Sequence, residues 1–230
     1  MLQPYYSKSK HNKFAVASME GKVSHQKLFE RNCYSRYQQQ LINKAMTYFI
    51  YNQTKNRIVH HSSGVENNFC VDIQLEEIAL VKAQLFAMCN VTREVGGLLI
   101  GPQPIKQTNG RYLTSVTDVI YAFHTKSSLG EITFTADSWA QMTDERISRF
   151  PNMATVGWFH SHPDFGVFYS NWDISLHAGF FSFSFMLGLV LDPVRKQLDF
   201  FAWNMNKEIC KVGIQLPAWA HESWFPIGEG

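Results

Sequence analysis

Residues 157–163 read Gly-Trp-Phe-His-Ser-His-Pro, an apolar run that ends on two histidines one residue apart and is stopped by a proline. Successive side chains of an extended strand alternate faces, so His160 and His162 project to one side and Ser161 to the other. Pro163 has no N–H for a ladder, and the chain leaves the strand there through the loop Asp164 to Tyr169. Ser170-Asn171-Trp172-Asp173 then opens a helix, which lets Asp173 swing back toward the histidines. Two neutral imidazoles and one carboxylate are a common catalytic zinc set, one that leaves the fourth tetrahedral position to water.

Each piece has a plainer explanation. A lone histidine on an apolar strand is usually a satisfied core residue, and Ser-x-x-Asp before apolar residues is a capping-box variant that needs no metal. Glu94 shifts the balance. It heads Glu94-Val-Gly-Gly-Leu-Leu-Ile-Gly, a short apolar segment that reads as a buried strand, where a carboxylate is costly without a partner. Taken jointly, these placements favour a metal site of His160, His162 and Asp173, with Ser170 free both to cap the helix and to face the metal.

The chain is long enough, at 230 residues, for one catalytic domain with an extension. Residues 1–68 read as a basic N-terminal extension. Within it, Tyr37, Leu41, Ala45, Tyr48 and Phe49 recur at helical spacing over Cys33 to Asn52, and the polar stretch 52–68 reads as a linker. The main domain runs over 69–217, with a C-terminal tail at 218–230. In it, Ile73 to Cys89 reads as a helix and Arg111 to Phe123 as a strand. A helix over about Ser138 to Phe150 follows, with Asp137 as its N-cap. Strands are expected over Ala154 to His162, Phe183 to Leu191, Leu198 to Trp203 and Ile209 to Leu216. Helices interspersed with strands make this an α/β or α+β domain.

Charge divides along the chain: residues 1–67 carry ten Lys/Arg against three acids, a net of +7, and residues 68–230 carry eleven against sixteen, a net of −5. Lysines spread among polar residues are more often a solvated surface than a nucleic-acid site, so nucleic acid is not the expected partner. The four cysteines are scattered with no CxxC pair, which suggests neither a disulfide framework nor a cysteine zinc ribbon and fits a reducing cytoplasm. The N-terminus has no apolar run of signal-peptide length, and the longest apolar stretch, Ala178 to Leu191, is too short to span a bilayer.

Glu94, His160-Ser161-His162-Pro163, and Ser170-x-x-Asp173 after an intervening loop together resemble the JAMM (MPN-plus) zinc metalloprotease family. The resemblance covers about Phe69 to Leu216, and Leu189-Val190-Leu191-Asp192-Pro193 is similar to the family's late strand and turn. It implies a mixed, curved sheet flanked by helices. It also implies Zn2+ on His160, His162 and Asp173, Glu94 as general acid/base, and Ser170 as oxyanion stabiliser. The phenylalanine-rich loop 164–169 looks like that of members that process ubiquitin-like proteins. Asp173-Ile-Ser-Leu-His177 and the Phe-Phe-Ala-Trp strand are similar to bacterial members associated with ubiquitin-like conjugation operons. The implied activity is hydrolysis after the C-terminal glycine of a ubiquitin-like protein, and the alternative is a non-catalytic MPN scaffold. The segment between Phe123 and Phe134 reads as a mobile flap ordered by substrate.

Two other metalloenzyme classes fit less well. Iron(II) oxygenases share the two-histidine, one-carboxylate set, but their HxD/E pair with a distant third histidine is not the pattern of the candidate ligands His160, His162 and Asp173. Zinc deaminases need HxE and PCxxC, and neither is present. His177 reads as a supporting residue rather than a ligand, and His60, His61 and Cys70 lie in or near a polar linker, which argues against a second metal site.

Overall fold

The computed structural model describes residues 57–61, 68–128, 130–222 and 224, with helical positions 40, 43 and 47. Gln40, Asn43 and Thr47 are helical and exposed, as the outer face of the expected helix requires. The remainder of that helix, and the rest of the extension before Arg57, lie outside the described residues.

Val71-Asp-Ile-Gln-Leu-Glu alternates with period two, and residues 71–76 form a strand rather than the start of a helix. Val71, Ile73 and Leu75 are buried on its inner side. This is strand β2 (Val71–Glu76), and helix α1 (Glu77–Met88) begins only after it. The helical spacing expected from Ile73 onward therefore holds from Ile78. Leu80, Val81, Ala83 and Phe86 are all buried, so α1 is enclosed on most sides, with no simple two-faced pattern.

Ahead of β2, strand β1 (Ile58–His61) pairs antiparallel with it. Residues 57–61 fall in the expected linker, yet Val59 is buried, and Arg57 bonds Glu77 through Nε (3.0 Å) and Nη2 (2.6 Å). The fork geometry of a guanidinium on a buried carboxylate ties this stretch to the start of α1. Trp219 stacks on the Arg57 guanidinium at 4.9 Å from the other end of the chain. It belongs to α4 (Ala218–Glu222), whose Ala220 carbonyl accepts from Gln84 Nε2 at 3.2 Å. Much of the expected tail up to Trp224 is thus packed, with Ala220 and Trp224 buried.

The remaining strands are β3 (Gly96–Gly101), β4 (Ile105–Lys106), β5 (Tyr112–Val116), β6 (Asp118–Tyr121), β7 (Thr125–Ser127) and β8 (Ile132–Phe134). After α2 (Ala136–Arg149) come β9 (Ala154–Ser161), α3 (Asn171–Phe180), β10 (Leu187–Asp192), β11 (Gln197–Trp203) and β12 (Ile209–Lys211). They build a six-stranded sheet in the order β12-β11-β10-β9-β3-β6 and a four-stranded sheet β1-β2-β5-β4. Both are mixed: β9–β10 and β2–β5 are parallel, the other pairs antiparallel. The result is the mixed α+β architecture expected, with helices against strands. The run 111–123 makes two strands because the chain changes sheets at Thr117, whose N–H donates to Ile100 O at 2.8 Å. Gly101 permits that crossing, since a Cβ there would stand 1.8 Å from Ser115 O.

Three boundaries move for local reasons. Thr135, not Asp137, caps α2: its side chain accepts from Ser138 N, while Asp137 lies in the first turn, where its charge suits the positive helix end. β10 starts at Leu187, four residues later than expected, and β12 stops at Lys211. The flap segment forms a hairpin, β7 paired antiparallel with β8 from Thr125↔Phe134 to Ser127↔Ile132, with Leu129 outside the described residues.

Candidate metal centre

β9 lies in the middle of the six-stranded sheet, between β3 and β10. His162 continues its path by donating its N–H to Leu191 O at 2.8 Å, so His160 and His162 stay in the two-residue register that aims both rings one way. The two Nε2 atoms stand 3.0 Å apart. Trp158 stacks on the His160 ring at 4.5 Å with 7° between planes, fixing its orientation. Both histidines are buried.

Asp173 arrives on the first turn of α3 through a complete capping box. Asp173 N donates to Ser170 Oγ (3.2 Å), and Asp173 Oδ2 accepts from Ser170 N (2.7 Å). The Ser170 hydroxyl also donates to Oδ2 at 2.7 Å. Oδ1 is left facing His160 Nε2 at 3.3 Å, while Oδ2 is 3.7 Å from His162 Nε2. Burial works against charge on Asp173, but the hydrogen bonds from His160 and Ser170 prevail and bring its carboxyl down to about 2. Burial and the neighbouring His160 bring His162 down to about 4, against the pull of Asp173. At neutral pH the group therefore offers one carboxylate and a neutral His162.

These donors fit a small tetrahedral cation. Metal–ligand bonds of about 2.0–2.1 Å place tetrahedral donors about 3.3 Å apart, and the observed spacings of 3.0, 3.3 and 3.7 Å bracket that value. Among the described residues this is the one group of three His, Cys, Asp or Glu side chains arranged to hold an ion. His60, His61 and Cys70 form no such group. His162 Nδ1 is 3.3 Å from Gly166 O, which can only accept, so the Nε2 lone pair is left for a metal.

Glu94 reaches the same place from β3. Its N–H donates to Ser128 O at 2.8 Å, and the next residue, Val95, is locked to β9 by Val95 N→Ser161 Oγ (3.0 Å) and Ser161 N→Val95 O (2.8 Å). Ser161, buried on the opposite face of the strand from the histidines, thus places the acid beside them. Gly96 allows that close approach, because a Cβ there would lie 2.4 Å from Phe159 O. Glu94 Oε1 is 3.7 Å from His162 Nε2. Burial first, then Asp173 and Glu131, push the Glu94 carboxyl up to about 8. Glu94, His160, His162, Ser170 and Asp173 all converge.

Behind them stand His177, expected as a supporting residue, and partners that sequence reasoning missed. His177 Nδ1 takes Trp158 Nε1–H at 3.1 Å, with the Tyr169 hydroxyl also at 3.1 Å, so His177 braces the indole that braces His160. Gly188 makes room for this trio: a Cβ there would lie 1.5 Å from the Tyr169 hydroxyl. The Asp173-to-His177 spacing of four is the only signal that placed His177 nearby. Asp192, at the end of β10, is fully buried and collects backbone donors from the loop after His162; only its place before Pro193 marked it.

The fold and this site define an MPN domain with a buried group that could hold a metal ion. The model of the family described as JAB1/Mov34/MPN/PAD-1 ubiquitin protease matches residues 68–184, just over half of the chain, and the chain belongs to that family. No curated protein matches it.

Proposed function

We propose that this chain is a zinc-dependent isopeptidase or peptidase that cleaves after the C-terminal glycine of a ubiquitin-like protein, in conjugates or precursor tails. The observation that carries the reading is the complete set: two histidines and one carboxylate at tetrahedral spacing, with the buried Glu94 carboxyl 3.7 Å from His162 Nε2 beside them. His160, His162 and Asp173 would hold the ion. A bound zinc supplies Lewis acidity, making water more acidic and the scissile carbonyl more electrophilic.

Glu94 takes one proton from the attacking water as the new C–O bond forms, and returns it to the departing lysine amine as the C–N bond breaks. A nearby cation favours the ionised carboxylate that the first transfer needs. Ser170 supplies a donor to the developing oxyanion once its hydroxyl turns from Asp173 Oδ2. No cysteine or serine nucleophile takes part.

Selectivity follows from access. An extended tail ending in glycine threads a narrow groove where bulkier residues cannot. The exposed Phe165, Phe168 and Trp172 rim the site, and β7–β8 offers a strand edge for such a tail. Conjugation-pathway proteins of the cytoplasm are the matching partners, and the branch resembling bacterial operon-linked members is part of this reading. Among the described residues no helix is long and apolar enough to cross a membrane.

The test uses the zinc-loaded chain and three fusions with one reporter: behind a Gly-Gly tail, behind the same tail with its last glycine changed to leucine, and behind an unrelated folded protein with an unstructured C-terminus. Cleavage of the first alone is expected. Equal cleavage of all three makes the chain a general peptidase, and cleavage of none with zinc bound supports the alternative, a non-catalytic MPN scaffold.

A further inference from the structure

We propose that Asp192 is a positioning residue for His162, acting through Gly166; this rests on the reading of His160, His162 and Asp173 as a metal site. Asp192 closes β10 and is fully buried. Its two oxygens divide their work. Oδ1 accepts from Asp164 N (3.1 Å), Val194 N (3.0 Å) and Arg195 N (3.0 Å), which completes the turn after β10 and ties the start of the loop to it. Oδ2 accepts from Gly166 N at 2.7 Å.

That fourth bond is one the turn does not require. It reaches across to Gly166, whose carbonyl faces His162 Nδ1 at 3.3 Å. The two contacts flank one α-carbon: Asp192 Oδ2 holds Gly166 N–H, and Gly166 C=O, on the next peptide along, meets His162 Nδ1, so anchoring the first with Gly166 at φ +85° positions the second. The carbonyl, being only an acceptor, keeps the His162 proton on Nδ1 and turns the Nε2 lone pair toward His160 and Asp173.

The loop does not hold this shape unaided. Gly166 has φ +85° and Asp164 φ +66°, both in the left-handed region. Arg195 secures the Asp164 corner, with Nε on Asp164 Oδ1 (3.1 Å) and Nη2 on Asp164 O (2.7 Å), and Asp192 holds the Gly166 N–H. The same loop carries Phe168, whose ring packs 4.7 Å from that of His162. One buried carboxylate therefore governs the tautomer of a ligand and the wall beside it.

Asp192→Asn separates the two oxygens. The amide keeps its oxygen on the three donors of the turn and puts an NH2 against Gly166 N–H, where nothing accepts. Two measurements are made on the full chain. Zinc affinity, from competition with a chromogenic chelator, should weaken about 10- to 100-fold. In the zinc-free protein, 15N imidazole shifts should show His162 protonated on Nδ1 in the wild type and as a mixture of tautomers in the variant, a change that simple loosening of the turn does not produce. Affinity within twofold of wild type with an unchanged tautomer overturns the proposal. If the variant does not fold, the wild type decides, and a His162 protonated on Nε2 overturns it. A wild type that takes up no zinc yet loses the Nδ1 tautomer on Asp192→Asn overturns the metal reading and leaves the role of Asp192 standing.

Discussion

Glu94 and Ser170 each have two jobs available, and single substitutions separate them. Glu94→Gln keeps the shape of the side chain but not its basicity. Turnover of a Gly-Gly fusion should fall by about 10²- to 10⁴-fold, with zinc content measured by elemental analysis unchanged. Near-normal turnover would remove Glu94 as the acid/base. Ser170→Ala deletes the cap that accepts from Asp173 N and donates to Asp173 Oδ2. Urea unfolding should show a loss of about 1 kcal/mol. If Ser170 also serves the oxyanion, turnover drops by about a hundredfold, beyond what that stability loss explains.

Among the elements, α3 joins the site to the core. Its His177 is held neutral, brought down to about 3 by burial, so between there and the ordinary histidine value near 6.5 the unfolded chain binds a proton that the folded chain does not. Folding stability therefore rises with pH across that window, by at most about 1.4 kcal/mol per pH unit from this residue. Urea unfolding of wild type and His177→Phe between pH 4 and 7 should show the steeper dependence in the wild type, whereas parallel curves would mean that His177 does not stay neutral. The Phe variant cannot accept from Trp158 Nε1, and it should be less stable than the wild type at pH 7, where His177 is neutral in both folded and unfolded chains.

The ligand strand, Glu94 and the capped Asp173 were legible because each is a short local pattern: period two, a proline stop, Ser-x-x-Asp. The start of α1 was not, because Ile73 and Leu75 satisfy helical spacing toward Ile78 as well as the alternation of a strand. The sheet change at Thr117 was also hidden, since it depends on Gly101 meeting Ser115, which is distant in sequence. Asp192 left only a weak trace, because its four hydrogen-bond donors are backbone groups that any sequence carries.

At the scale of the whole molecule, the stretch before β2 and the segment after β12 meet on α1. Arg57 spans them, with Glu77 buried beneath it and Trp219 stacked on top. Arg57→Ala would strand a carboxylate that is 1% exposed, and breaking such a pair costs about 3–5 kcal/mol in a buried setting, less here because the arginine is 33% exposed. Chemical unfolding should register a loss of a few kcal/mol, on the order of those buried pairs. A variant unfolding like the wild type would show that the Arg57 bridge contributes little. A chain shortened to begin at residue 69 should be destabilised further, since it loses β1 as well.

The central place of β9 in its sheet has a kinetic consequence. Amides bonded on both sides of a middle strand exchange with solvent only when the whole domain opens, whereas the first turn of a capped surface helix frays on its own. Two ligands thus sit on the slowest clock of the molecule and the third on a faster one. An ion leaving this site would be released first by Asp173, with the histidine pair still in register to recapture it.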